Sequence, residues 1–232
     1  MTSSQPPERR SRGSSESGLR SDAERNRTRI VAAAREVFAD EGLDVPMTAI
    51  ARRAQVGIAT LYRRFPTRED LVAAVFTDRM EAYAAAITTA LADADPWHGF
   101  TTYVETVCAM QAGDRGFADV LTLSFPTAGA LEATRDEAYR GFTELIARAK
   151  DIGRLRADFS AEDLVIVLMA NAGVVAATGN DAPDAWRRLV AYLLQAFGTT
   201  EAHPLPPAPP PKALYRAMVR LGTSTRPRRR DD

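Results

Sequence analysis

Five arginines and no acidic residue lie between positions 51 and 68 of the chain. The chain as a whole has 30 basic and 30 acidic residues, so its formal net charge is zero and the excess is local. A run of like charge is most often a solvated surface, but guanidinium groups also bind phosphate oxygens and guanine edges. Charge alone leaves both interpretations open. The five are Arg52, Arg53, Arg63, Arg64 and Arg68.

Side chains that commonly form catalytic or metal sites are scarce. Cys108 is the single cysteine, and His98 and His203 are the two histidines. His98 and Cys108 share one predicted helix and are ~15 Å apart along its axis, too far for a nucleophile and its base. Neither histidine has a partner at metal-ligand spacing. We therefore expect no enzyme, no metal and no cofactor, and a lone cysteine agrees with a reducing cytoplasm.

The composition favours an all-α protein. Apolar residues make up 45% of the 232 positions, good helix formers are abundant, and no convincing strand alternation is present. The longest uncharged run, 164–180, is interrupted by Asn171 and Gly173 and is short of the ~20 residues of a membrane span. We expect a cytoplasmic protein. Its length fits one large domain or one small and one medium domain.

The first half of the chain predicts short helices in close succession. A helix over 21–42 has Ser21 and Glu24 as a capping box and Gly42 as its terminator. Helices over 47–54 and 58–65 follow, separated by a three-residue turn. Thr67 and Asp70 then start a longer helix. Short helix, tight turn and short helix is the helix-turn-helix arrangement, in which the second helix enters the major groove of DNA.

Helical periodicity gives this pair an inward and an outward face. The residues predicted to face inward are Ile50, Ala51, Ala54, Ile58, Leu61 and Phe65. Outward, Arg63 can donate two hydrogen bonds to guanine, Ala59 lets the backbone approach DNA, and the Thr60 methyl can meet a thymine methyl. The remaining outward residues suit phosphate oxygens and are Thr48, Arg52, Tyr62, Arg64 and Arg68. The alternative is an ordinary helical surface.

The stretch LDVPMTAIARRAQVGIATLYRRFPTREDLVAAVF resembles the DNA-binding domain of the tetracycline-repressor (TetR) family of bacterial regulators. The resemblance covers 21–75 and implies that Thr48, Ala59, Thr60, Tyr62, Arg63, Arg64 and Arg68 sit where family members contact DNA. Gln55 replaces a usual glycine in the turn, and Gly57 replaces a usual serine or threonine. The second helix therefore lacks a hydroxyl cap, which costs only a few tenths of a kcal/mol.

Beyond position 96 the periodicity predicts longer helices, over 97–111, 115–124, 127–151, 161–178 and 184–197. The resemblance implies a larger effector-binding and dimerisation domain, assigned to 76–200. Leu164 to Ala177 is apolar on every side, so one face is expected to meet a partner. The helix 161–178 would then form a homodimer interface with 184–197 through residues such as Leu189 and Leu193. A central core helix of a monomer is the alternative.

Aromatic, methionine and amide residues of this half are candidates for an effector site. Such residues are more often core than pocket, and the effector would be apolar or uncharged. The candidates are Phe100, Tyr103, Val107, Met110, Gln111, Phe125, Phe142, Met169 and Asn171.

The resemblance implies a ligand-responsive regulator, most simply a repressor, that binds a palindromic operator as a homodimer and is released by a small molecule. The alternative is a dimeric DNA-binding regulator without an effector, controlled by a protein partner. Residues 1–20 are expected to be a disordered arm, and 201–232 a proline-rich linker with a basic tail. The alternatives are that the N-terminal arm reaches the minor groove beside the site, and that the basic tail adds non-specific DNA affinity or packs back onto the body.

Overall fold

A computed structural model describes residues 13–123, 129–198 and 203–224, and within these ranges the chain forms helices and no strand. The DNA-binding segment consists of three helices and the start of a fourth, and the rest form a larger helical layer around α5. The helices are α1 (Gly13–Glu41), α2 (Met47–Arg53), α3 (Ile58–Arg64), α4 (Arg68–Leu91), α5 (Pro96–Ala112), α6 (Arg115–Thr122), α7 (Gly129–Asp151), α8 (Ala161–Thr178), α9 (Ala185–Phe197) and α10 (Pro211–Ser224).

The first helix starts earlier than its sequence predicts. α1 begins at Gly13, so Ser21 and Glu24 lie inside the helix and do not cap it. Serine favours the first position of a helix but is also tolerated inside one. Residues 13–21 contain no proline that would interrupt the backbone hydrogen bonds. Part of the expected arm is therefore helical, and 1–12 lies outside the described residues. Gly42 ends α1 with a φ of 78°, as its position predicts.

The later helix boundaries agree closely with the predicted ones. Thr67 and Asp70 form the predicted capping box at the start of α4, with backbone-to-side-chain distances of 3.0 and 3.1 Å. Asp163 accepts a 2.7 Å hydrogen bond from the Ser160 N–H at the start of α8. Gly153 follows α7 with a φ of 68°. Each of these helix ends therefore carries the local signal that predicted it.

The two halves share one hydrophobic core. Phe76 of α4 stacks on Phe38 of α1 at 6.1 Å between ring centroids and lies 6.1 Å from Phe117 of α6. Gly116 permits the approach of α6 to α1, because a Cβ there would lie 2.8 Å from the Phe38 carbonyl oxygen. The DNA-binding segment is thus packed directly on α4 and α6 of the larger half.

A second aromatic cluster organises the larger half. Phe142 of α7 lies 5.8 Å from Phe100 and 5.3 Å from Tyr103, both on α5. Phe159 meets Phe100 edge-on at 5.4 Å and Phe197 of α9 at 4.8 Å. These contacts fix α5, α7 and α9 around one centre.

Within the described ranges, α8 is long and apolar enough to cross a membrane by length and composition alone. It packs against α5, α6 and α9, and 28% of its residues are buried. Ile166 is 42% exposed on the uncovered side. This helix therefore has one face in the core and one apolar face on the surface of the chain.

Candidate DNA-binding surface and ligand cavity

The turn between α2 and α3 is held in an unusual backbone conformation. Gln55 has a φ of 53°, in the left-handed region that a glycine would adopt without steric cost. Arg29 of α1 donates hydrogen bonds from Nη2 to the carbonyl oxygens of Ala54 (2.8 Å) and Gln55 (3.2 Å). Val56 closes the turn by donating to the Ala51 carbonyl at 3.0 Å. The turn therefore keeps its geometry through contacts to α1.

The inward faces predicted from periodicity are buried, with one exception. The buried members are Ile50, Ala51, Ala54, Leu61 and Phe65. Ile58, predicted to face inward, is 38% exposed. α3 begins at this residue, and the space around its start is open, since a Cβ added at Gly57 would meet no atom within 4 Å. Leu61 is thus the residue that anchors α3.

The outward set is exposed as predicted on both helices. Thr48, Arg52, Ala59, Tyr62, Arg63 and Arg64 are exposed and Thr60 is half-buried. Among the residues whose side chains the structure describes, no carboxylate lies within ion-pair distance of Arg52, Arg63 or Arg64. Arg53, by contrast, pairs with Glu36 of α1, Nε to Oε2 2.9 Å. The free positive charge of the opening cluster is therefore on the outer face of α2 and α3.

Arg68 differs from the phosphate contact expected of it. Its guanidinium donates from Nη2 to the Val45 carbonyl oxygen at 2.6 Å and from Nη1 to the Leu43 carbonyl oxygen. Burial lowers the pKa of Arg68 from its ordinary value, with Asp44 and Glu69 acting in the opposite direction. The side chain is directed to the protein because the loop carbonyls between α1 and α2 lack helical partners. Arg68 therefore supports the surface from behind.

Six of the nine expected effector residues are buried in the core of the described chain. Those that are fully buried are Phe100, Tyr103, Val107, Gln111, Phe142 and Asn171. Met110 and Met169 are half-buried, and Phe125 lies outside the described residues. Phe100 and Tyr103 are buried because their rings pack against Phe142. Among these candidates, Phe142 also lines the cavity described below.

Gln111 and Asn171 form a polar pair within this core. The Asn171 Nδ2 donates to Gln111 Oε1 at 2.9 Å and to the Cys108 carbonyl oxygen at 3.1 Å. The Gln111 Nε2 and the Asn171 Oδ1 have no hydrogen-bond partner within the described residues. Asn171 thus ties α8 to α5 at the point where the apolar run of α8 is interrupted.

A cavity of about 280 Å³ lies between α7, α8 and α10, with walls from α4 and α6. Its side chains are mainly apolar and aromatic, with a few charged groups. Arg135 donates to both Glu132 carboxylate oxygens (3.0 and 3.2 Å) and to the carbonyl oxygens of Val120 (2.6 Å) and Leu123 (2.9 Å) at the end of α6. The lining residues are Tyr83, Leu121, Glu132, Arg135, Asp136, Tyr139, Phe142, Ala161, Glu162, Leu164, Val165, Leu168, Pro211, Leu214, Tyr215 and Met218.

Most of these cavity residues were absent from the sequence-based candidates. Arg135, Tyr139 and Phe142 recur at helical spacing on one side of α7, and Leu214 and Met218 do so on α10. That periodicity marks a face of each helix. It does not indicate which helices meet, because the contact of α10 with α8 joins segments far apart in sequence.

A hydrogen bond links α6 to the DNA-binding segment. Asp119 Oδ2 accepts from the Leu43 backbone N–H at 2.7 Å. Burial raises the pKa of Asp119, while the Leu43 hydrogen bond and Arg115 oppose the increase. α6 is therefore hydrogen-bonded to Arg135 at the cavity and, through Asp119, to the loop that precedes α2.

Known proteins resemble both halves of the chain. A profile described as "Bacterial regulatory proteins, tetR family" matches residues 30–75, and one described as "Transcriptional regulator SbtR-like, C-terminal domain" matches 95–196. An HTH-type transcriptional regulator of Staphylococcus aureus is 41% identical over 54 residues, 23% of this chain. That match spans 29% of the curated relative's own length.

Solved structures match over a larger part of the chain. A TetR transcription regulatory protein from Mycobacterium vanbaalenii is 31% identical, with 78% of this chain and 99% of that chain covered and a TM-score of 0.45. FadR from Bacillus subtilis, solved with stearoyl-CoA, is similar in fold, with a TM-score of 0.55 and 17% identity. The match covers 75% of this chain and 99% of that chain. The helix-turn-helix, its exposed arginines and both profile matches lead to one conclusion: the chain belongs to the TetR family of DNA-binding transcriptional regulators.

Proposed function

We propose that this protein is a ligand-responsive regulator of the bacterial cytoplasm that binds a palindromic operator as a homodimer. In its simplest form it is a repressor that a small molecule releases. The observation that carries the proposal is the outer face of α3, where Arg63 is exposed and free of any described carboxylate while Leu61 anchors the opposite side. A helix held from behind with an unpaired guanidinium in front suits insertion into a major groove.

Each outward residue has a distinct proposed role. Arg63 reads a guanine edge, Thr60 meets a thymine methyl, and Ala59 allows close approach of the backbone. The phosphate contacts come from Thr48, Arg52, Tyr62 and Arg64. Arg68 is left out of the contact set because its guanidinium is hydrogen-bonded to loop carbonyls.

The proposed dimer forms through α8 and α9. The uncovered side of α8 carries Ile166, and α9 presents Tyr192, 55% exposed, with Leu189 and Leu193 half-buried beside it. Pairing of these helices across a twofold axis would bury the apolar face of α8. Two copies of α3 would then have to stand ~34 Å apart to enter successive major grooves.

The proposed response to ligand runs through α6. Arg135 lines the cavity and binds the carbonyl end of α6, and Asp119 on the same helix binds the Leu43 N–H beside the reading helices. A ligand that displaces Arg135 would therefore move the attachment of the loop before α2. To lower operator affinity a hundredfold, the two states must differ in ligand binding by ~2.7 kcal/mol per dimer.

Selection of bound fragments from genomic DNA tests the proposal directly. We expect the recovered fragments to share an inverted repeat whose half-sites are about one helical turn apart. Analytical ultracentrifugation with the selected duplex should give two chains per duplex. Recovery of fragments without a shared repeat, or one chain per duplex, would contradict the dimeric operator complex.

A further inference from the structure

The outer wall of the cavity is supplied by the C-terminal helix. Leu214 and Met218 of α10 line the cavity one helical turn apart, and Met218 is 7% exposed. Tyr215 stands at the edge and is 46% exposed. Met218 is the one side chain of α10 that is fully enclosed among those described. α10 thus closes the cavity while burying little surface of its own.

The segment that leads to α10 is clamped to the loop before α8. Arg156 Nη2 donates to the His203 carbonyl oxygen at 2.8 Å and to Asp158 Oδ2 at 3.0 Å. Asp158 Oδ2 also accepts from the Leu205 N–H at 2.9 Å. The start of the segment therefore has charge-assisted anchors, whereas its end has the apolar contact of Met218.

Between clamp and helix the chain is stiff. Six of the eight residues at 204–211 are proline, and residues 204–210 have no regular secondary structure and are mostly exposed. A proline-rich spacer holds its ends apart at ~3.1 Å per residue and resists bending. The spacer therefore limits how far α10 can lie from the clamp, and α10 itself is held at the cavity mainly by its apolar contacts.

The lining also indicates which ligands would fit. Arg135 is already bound to Glu132, so the cavity's one described cation is neutralised. Asp136 and Glu162 are two further carboxylates, of which Glu162 accepts a 3.2 Å hydrogen bond from the Tyr139 hydroxyl. Carboxylates in excess beside aromatic rings favour a positive or neutral ligand over an anion. Lys212 and Arg216 line a separate depression on the outer side of α10.

Building on the ligand response proposed above, we propose that α10 is the movable wall of this cavity. The cavity takes a compact apolar ligand, neutral or cationic, which enters when α10 swings away on its clamped proline spacer and which α10 then covers.

The position of α10 can be tested by thiol labelling of the full chain. Cys108 is buried and burial raises its pKa to about 12, so it gives little background. We expect Met218→Cys to react with a disulfide reagent at least about tenfold more slowly than Arg216→Cys on the solvent side of the same helix. The combined replacement of Arg156 and Asp158 by alanine should remove most of that difference. If the two cysteine variants reacted at equal rates while Arg156 and Asp158 were both present, the docked position of α10 would be overturned.

Ligand entry can be tested with Nile red, a neutral apolar dye. We expect Met218→Asp to weaken dye binding about tenfold and to speed association, because the wall no longer closes. Arg216→Asp, which places the same carboxylate on the outer side, should leave both unchanged. Dye binding that is identical in the parent and in Met218→Asp would overturn the proposal.

The charge preference has its own measurement, in which two short-chain compounds displace the dye. Hexyltrimethylammonium should displace Nile red at about threefold lower concentration than hexanesulfonate. A lower concentration for the anion would overturn the ligand class.

Operator binding of the same samples separates this proposal from the proposed function. If the parent chain binds no operator, the proposed regulator function is contradicted, and the result on the cavity still stands. If operator binding is intact and Met218→Asp does not change dye binding, only the proposal of a movable wall is contradicted.

Discussion

Asp119 on α6 accepts a 2.7 Å hydrogen bond from the backbone N–H of Leu43, in the loop that joins α1 to α2. On the other side of that loop, Arg68 of α4 donates to the Val45 carbonyl oxygen at 2.6 Å and also to that of Leu43. The loop that precedes the helix-turn-helix is thus held by α6 of the larger half and by the start of α4. Its hydrogen bond to Asp119 is one of the contacts that join α6 to the DNA-binding segment.

Replacing Asp119 with asparagine should change the pH dependence of stability. Burial raises the pKa of Asp119 above its ordinary value of 3.8, so the folded protein holds a proton there more tightly than the unfolded chain. The free energy of unfolding contributed by this carboxyl therefore falls as pH rises from 3.8 through the raised pKa. The Asp119→Asn side chain still offers an acceptor to Leu43 but does not titrate, and the decline should disappear.

Urea unfolding between pH 3 and pH 7 measures this effect, and Asp151→Asn, an exposed carboxylate at the end of α7, is the control. The control should retain the slope of the parent protein. A parent protein whose stability rises across that window because of Asp119 would show that the Leu43 hydrogen bond outweighs burial.

Replacing Arg68 with alanine should destabilise the fold. The Leu43 and Val45 carbonyls would lose their donors in a part-buried position, at a cost of about 1–3 kcal/mol. Arg64→Ala, at the exposed end of α3, should change stability by less than about 0.5 kcal/mol. Thermal unfolding without DNA compares the two. Equal melting temperatures would place Arg68 with the phosphate contacts after all.

Replacing Gln55 with glycine should stabilise the protein. A side chain in the left-handed region costs ~1–2 kcal/mol, and the greater freedom that glycine gives the unfolded chain cancels part of the relief. With the φ of 53° retained, we expect a net gain of about 0.5 kcal/mol in denaturant unfolding. Gln55→Ala keeps a Cβ and should show no gain. If Gln55→Gly lowered the free energy of unfolding, the Gln55 side chain would have to stabilise the fold by more than its backbone strain costs.

Replacing Gly57 with serine should supply the missing cap of α3. The backbone at Gly57 has a φ of −66°, and a Cβ there meets nothing within 4 Å, so serine fits without strain. The gain in stability should be only a few tenths of a kcal/mol. Because a hydroxyl at this exposed end can also reach a phosphate, operator affinity should increase without a steeper salt dependence. Gly57→Ala is the matched control and should improve neither property.

The helix-turn-helix was predictable because local signals agree with one another. Leu61 and Phe65 follow the helical period, and Thr67 with Asp70 caps the next helix through contacts three residues apart. Ile58 fits the same period but lies exposed, since periodicity gives a face and not the reach of the neighbouring helices. The sequence therefore predicts the helices and their ends well, and it predicts burial correctly where a neighbouring helix covers the residue.

The direction of the Arg68 side chain and the site of the cavity depend on contacts across the chain. Arg68 meets carbonyls more than 20 residues before it, which charge patterning could not reveal. The aromatic residues of α5, which were named as effector candidates, are buried and stack on Phe142, Tyr103 among them at 5.3 Å. The cavity lies beside this cluster, since Phe142 lines both, and α10 packs on α8 at its outer edge. Only tertiary packing decides which aromatic face is left open.

The central claim is that the outer face of α3 reads the operator, with Arg63 as the base reader. Binding of Arg63→Ala and Arg64→Ala to a library of operators with single base-pair changes tests it most directly. We predict that Arg63→Ala loses ~1–3 kcal/mol and its preference at one base pair of each half-site. Arg64→Ala should weaken all sequences alike and lower the salt slope by about one. If both variants lost equal affinity on operator and random DNA, the claim would be contradicted.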